Sequence, residues 1–246
     1  MPDDPLAPLL DLPGVADSVD AVRVAVDALL AHRALRRRSA DVSAESSLRG
    51  AWASAVLSGA EVTLEAVRSG AAAADPLVQG ALRAQAAIPA LADTWTRAPR
   101  QVLARLHVLA AADLGPGPDE LGRPAPGAAG RLDVLAQVLA ATGVPASVVA
   151  GVVLGELLGL DAFPPASGIV ARAAARLTLI ERGLDPRSLV VLEVGQWEVR
   201  AGAAAALAGY RAGRPEGIAA WLAHCGQGIV AGARESIAIC EAMTRG

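Results

Sequence analysis

The chain has 246 residues, 53% hydrophobic and 19% charged, a balance that excludes a disordered chain and predicts a sizeable core. Its formal net charge of −3 supplies no global basic field, which excludes nucleic acid as a main partner. With only four Trp, one Tyr and one Phe, the core must be built from Ala, Leu and Val, and Ala- and Leu-rich segments favour helices; the expected fold class is all-α, a single compact helical bundle.

In chain order, Met1-Pro2-Asp3-Asp4 is acidic and lacks the layout of a signal peptide, and residues 1–12 read as a loose lead-in. Val15 to Leu35 carries Val19, Val22, Val24, Val26, Leu29 and Leu30 at helical spacing. The run Arg36-Arg37-Arg38 follows as a solvated helix C-terminus, where cations are favoured. Ser43 is the expected N-cap of a second helix running through Trp52 to about Leu57. This divides the chain into a lead-in and helix, 1–42, and a helical domain, 43–246, that forms one structural unit.

A short helical piece is expected at Thr63–Val67. Asp75-Pro76 opens a helix to about Ala98, kinked or interrupted by Pro89, and Pro99 opens the next, Arg100–Ala112. His107 lies on the amphipathic stretch Leu103–Leu109 as a core or boundary histidine. The segment from Leu114 to Gly127 is too rich in Gly and Pro for regular structure and is long for a connection. Helices follow at Arg131–Ala141, Pro145–Leu158 and Gly168–Arg182, stopped by Gly183. Residues 134–155 carry no charge, but Gly143-Val144-Pro145 divides them, so they read as core helix and no membrane span is expected. Leu189 to Val194 is a β-branched run, read as extended. Trp197–Tyr210 and Pro215–Arg245 return to helix. Cys225 and Cys240 lie far apart, which fits a reducing cytoplasm, and with His224 they lack metal-ligand spacing, so no metal site is expected. The four Trp are expected as core anchors, and no G-x-G-x-x-G follows a strand.

The turn between the seventh and eighth of these helices, Asp161-Ala-Phe-Pro-Pro-Ala-Ser-Gly168, feeds a helix N-terminus, a place of free N–H groups and favourable dipole for anions. Its only ionisable group is Asp161. Together with Arg172, Arg176 and the exit Arg182-Gly-Leu-Asp-Pro186, this stretch resembles the core of the Fic (Fic/Doc) family, His-Pro-Phe-x-Asp/Glu-Gly-Asn-Gly-Arg-x-x-Arg. Phe163 falls on the motif Phe, Gly168 on its second Gly and Arg172 on its last Arg. The Pro/Gly loop takes the place of the family's substrate-binding flap.

The resemblance implies transfer of a nucleotide to a protein hydroxyl, with the motif His as base, but that position is Asp161, a weak base at neutral pH. The metal-binding acid becomes Pro165, the Asn becomes Ser167, and the first phosphate-binding Arg becomes Ile169. What the family pattern leaves for binding is Ser167, Gly168 and Arg172. Ser54-Ala-Val-Leu-Ser58-Gly59 resembles the family's inhibitory helix, Ser/Thr-x-x-x-Glu-Gly/Asn, with Ser58 at the Glu position and Glu61 nearly one turn further on. The reading that follows is a degenerate, catalytically inactive Fic-like protein without cofactor. It acts in the cytoplasm through a protein partner or a second copy of the chain. The alternatives are a nucleotide or anion module without transfer, with Arg172 otherwise paired to Glu156 or Glu61, and an enzyme with chemistry altered around Asp161.

Overall fold

The least polar helix lies where its composition requires. In the computed structural model, which describes residues 4–245, helix α7 (Ala146–Gly159) is apolar nearly all round and buried from Ser147 through Gly155, as expected of a core helix without a solvent face. The described residues form ten further helices: α1 (Val15–Leu30), α2 (Leu35–Leu57), α3 (Leu64–Arg68), α4 (Pro76–Leu91), α5 (Pro99–Ala111), α6 (Ala129–Ala141), α8 (Ser167–Glu181), α9 (Leu192–Glu198), α10 (Ala203–Arg211) and α11 (Pro215–Arg245). The fold is all-α, with no strand among the described residues. No described helix is long and apolar enough to cross a membrane.

Helix α8 lies along α7. The 31-residue α11 spans the molecule and packs on α9, α1, α10 and α7. At the α9–α11 crossing, Gly195 faces the backbone of Gly228 and Gly232, and Gly232 faces the carbonyl of Val191. A Cβ at Gly195 would collide with main chain, so two glycine-lined backbones meet there.

Local signals place several helix ends. Asp75 caps α4 by accepting from Leu77 N and Val78 N at 2.9 and 3.1 Å. Thr63 caps α3 by accepting from Ala66 N, and Pro99 opens α5. Gly183, with φ of +76°, follows α8 in the left-handed region where a side chain is strained.

Several boundaries differ from those read in the sequence. Helix α2 begins at Leu35, so Ser43 is interior and no N-cap, and α2 runs without interruption across 42 and 43. The Arg36–Arg38 run therefore opens a helix instead of closing one. The three side chains are exposed and the backbone departs from helical geometry at Arg38, while Leu35 and Val42, both buried, hold the segment on the core. Packing outweighs the unfavourable dipole. On α1, Val15, Val22, Val26 and Leu29 form the buried face and Val24 points outward, 66% exposed. Helix α4 stops at Leu91, two residues after Pro89, and a 3-10 turn at Ala92–Thr94 follows it.

The lead-in is ordered over its described part. A 3-10 turn spans Ala7–Asp11, and the Asp4 carboxylate accepts from Thr142 Oγ1 and Gly143 N at 2.7 and 2.6 Å, tying it to the α6–α7 turn. Residues 1–3 lie outside the described residues. The Leu189–Val194 run forms no strand. Asp185 accepts from Leu189 N and Val190 N, Ser236 Oγ accepts from Val191 N, and α9 starts at Leu192. Side chains satisfy the amides that a neighbouring strand would otherwise have met. Trp95 and Trp221 are core anchors as expected, whereas Trp52 and Trp197 are half-buried and pack on each other with centroids 5.5 Å apart.

Candidate functional site

The turn between α7 and α8 is shaped first by how α7 ends. Asp161 N–H bonds to Leu158 O and Ala162 N–H to Leu157 O, and Asp161 has φ of +46°. This is the paired-bond helix stop usually made by glycine, and Asp is among the few other residues that tolerate it. Asp161 is exposed, and its carboxylate makes no side-chain hydrogen bond or ion pair among the described residues. The backbone conformation at this position is thus a sufficient account of the residue.

Beyond it the chain turns inward. Ala162, Phe163 and Ala166 are buried, whereas Pro164 and Pro165 stay outside. Phe163 N–H donates to Ser167 Oγ at 2.8 Å, which commits that hydroxyl to bracing the turn. Ile169, 1% exposed, points into the core, so the position read as a phosphate clamp has become packing. Ser167 is the first residue of α8, and the first free N–H groups of a helix belong to such positions.

His107, on α5, fastens this turn from below. Gly122 N–H donates to His107 Nδ1 at 3.1 Å, so the ring proton sits on Nε2, which donates to Pro164 O at 3.1 Å. The ring lies 5.3 Å from that of Phe163. Burial pushes the imidazole below its ordinary range, with the Pro164 carbonyl opposing. Neither nitrogen is free to act as a base. The Gly/Pro loop from Leu114 to Gly127 also joins the turn directly, through Ala125 N–H to Ala162 O at 2.8 Å. The helical pattern places His107 inside, but no local signal reveals this double attachment, because its partners lie 15 and 57 residues away.

Arg172 is the one charged group at the head of α8. It is 5% exposed and folds back over the first turn, so that a Cβ on Gly168 would lie 2.9 Å from its Nη2. Its partners are neutral: Nε donates to Ser54 Oγ at 2.9 Å, and Nη2 to Ser54 O at 2.8 Å and Ser58 Oγ at 2.5 Å. Burial drives its pKa down to about 10, with only the more distant charge of Glu193 opposing. The end of α2 and the head of α8 therefore meet at Ser54, Ser58 and Arg172. Gly59 follows with φ of +108° and turns the chain away.

Neither carboxylate considered in the sequence for Arg172 reaches it. Glu61 is exposed. Glu156 accepts from Arg131 through both Nε and Nη2 and from Tyr210 Oη at 2.8 Å. One turn further along α8, Arg176 is paired: it donates to Glu193 at 2.5 Å, and Gln85 donates to the same carboxylate. Burial would raise the Glu193 carboxyl, but Arg176 and these hydrogen bonds hold it below the usual range. Gly50 leaves the room this cluster needs, since a Cβ there would sit 2.7 Å from Glu193 Oε2. Among the described residues no group of three or more His, Cys, Asp or Glu is placed to hold a metal ion. Cys225 and Cys240 are free and buried.

No protein-family model matches the chain, and neither does any curated protein. Among solved structures it is similar to a Fic family protein from Desulfovibrio desulfuricans G20, with a TM-score of 0.74 and 16% identity over 92% of this chain and 75% of that one. The arrangement of helices around the α7–α8 turn is a Fic-like fold.

Proposed function

We propose that this Fic-like chain no longer transfers nucleotides and acts through protein contacts, either with a partner or with a second copy of itself. The observation that carries the reading is the content of the α7–α8 turn. Asp161 is spent as a helix stop, Pro165 offers no ligand atom, and Ile169 is packed into the core. Base, metal ligand and phosphate clamp are thus replaced together. The only histidine against the turn, His107, has both nitrogens engaged. General-base catalysis is served best by a group whose pKa lies near the working pH, and the position of the family's histidine carries the Asp161 carboxylate instead.

A second reading is favoured by Arg172. A buried guanidinium with only neutral partners, beside a helix N-terminus, is short of negative charge. An anion or a nucleotide phosphate on Gly168 and Arg172 supplies it without any transfer chemistry.

One experiment addresses both readings. Purified protein is incubated with labelled ATP, GTP or CTP, Mg²⁺ or Mn²⁺ and a cell lysate, and its melting temperature is recorded with each nucleotide. No protein labelling is expected, and labelling abolished by Arg172→Ala overturns the first reading. A ligand at a hundred times its Kd adds about 2.7 kcal/mol of stability. An unchanged melting temperature at millimolar nucleotide therefore removes the second.

A further inference from the structure

Along α7, a cavity of about 610 Å3 opens between α6, α7, α10, the start of α11 and the N-terminal turn. Its size falls within the range of small-molecule sites. The walls are apolar, with Leu9, Val138, Val152 and Ile218 among them. Val134, on the same wall, is 50% exposed, one of two large hydrophobic side chains left so open among the described residues.

The polar groups gather on one side. Glu156 is enclosed by the Arg131 fork and by Tyr210 Oη, so its charge is already met. The Tyr210 ring lies against Gly155, where a Cβ would come within 2.7 Å of it. Arg211, the last residue of α10, runs its aliphatic stem across Gly159, with Cγ 3.3 Å from where a Cβ would be. Its guanidinium has no ion pair and no side-chain hydrogen bond among the described residues. The rim therefore holds two cations and one anion, and the unmatched charge is positive.

We propose that this cavity binds a small amphipathic carboxylate, with its alkyl chain along the Val138–Val152 wall and its carboxylate on Arg211. An apolar channel selects for chain length, and one unpaired guanidinium selects for a single planar anion that it grips with two N–H groups. The cavity reaches the end of α7 at Gly159 and Leu160, but none of Asp161, Ser167, Gly168 and Arg172 lines it, and the proposal does not depend on the function proposed for them.

The test is calorimetric titration of the full chain with straight-chain carboxylates from hexanoate to dodecanoate, below their micelle concentrations, alongside the matching primary alcohols. Saturable binding is expected, tightening about fourfold for each added methylene until the cavity is filled. Each alcohol should bind about tenfold more weakly than its acid, the lower end of what a hydrogen bond to a charged group contributes. Arg211→Gln, an exposed substitution, should bring the acids down to the level of the alcohols and leave the alcohols unchanged. Val138→Trp should weaken both, with circular dichroism confirming that the variant is folded. Absence of saturable binding, equal affinity of acid and alcohol, or acid binding unaffected by Arg211→Gln overturns the proposal. So does binding that survives Val138→Trp, since that would be partition onto the surface.

Discussion

Arg172 is the residue where the energetics of this fold are most exposed. A guanidinium buried among two hydroxyls and a carbonyl keeps its hydrogen bonds but lacks a countercharge, and burial has moved its pKa down to about 10. The cost is present at neutral pH, where the unfolded chain holds the proton in water and the folded chain must hold it inside. Ser58→Glu places a carboxylate where a hydroxyl now meets Nη2. Stability is expected to rise by about 1–2 kcal/mol, a few degrees in melting temperature at this chain length. The same substitution in an Arg172→Met background should give no gain. A lowered melting temperature with Ser58→Glu alone would show that the neutral cradle already compensates the charge. The sequence allowed Ser54, Ser58 and Arg172 to be considered together only through the family pattern, since 114 residues separate Ser58 from Arg172 and no local periodicity links them.

At the scale of elements, what could be read in advance follows from how local the determining signal is. The capping Asp75 and Thr63 and the opening Pro99 act within a few residues, and α4, α3 and α5 begin where they indicate. The start of α2 could not be read this way. Arg36–Arg38 and Ser43 suggest the end of one helix and the cap of the next, but the burial of Leu35 and Val42 keeps a single helix running across them. The valines of Leu189–Val194 suggest a strand, and only the fold reveals that Asp185 and Ser236 take their amides. The α9–α11 crossing likewise depends on glycines whose purpose is tertiary. Gly195→Ala puts a methyl group into the backbone of Gly228 and Gly232. It should lower stability by about 2–3 kcal/mol as the helices are forced apart, measurable as a lower denaturant midpoint. A neutral result would mean that α9 shifts without loss.

Across the whole molecule, α7 separates two regions of different character. Its C-terminal end leads into the tightly filled α7–α8 turn, and its residues from Val152 to Gly159 line the open cavity with Arg211 at its rim. The sequence drew attention to the first because the turn punctuates two apolar runs. The second is not legible there, because Leu9, Val138, Val152, Ile218 and Arg211 come from five separate segments and become neighbours only in the folded chain. His107 shows the same dependence on the complete fold. Its ring joins the Gly122 amide of one loop to the Pro164 carbonyl of another, and Ala125 bonds to Ala162 beside it. The consequence concerns time as much as position. In a segment whose composition suggests free movement, the amide protons of Gly122 and Ala125 should exchange with solvent deuterium more slowly than that of Asp119, and His107→Ala should release both together. Unprotected amides in the intact chain would mean the two loops open independently. If they are protected, this Gly- and Pro-rich segment keeps the pace of the helix core and not that of a surface loop.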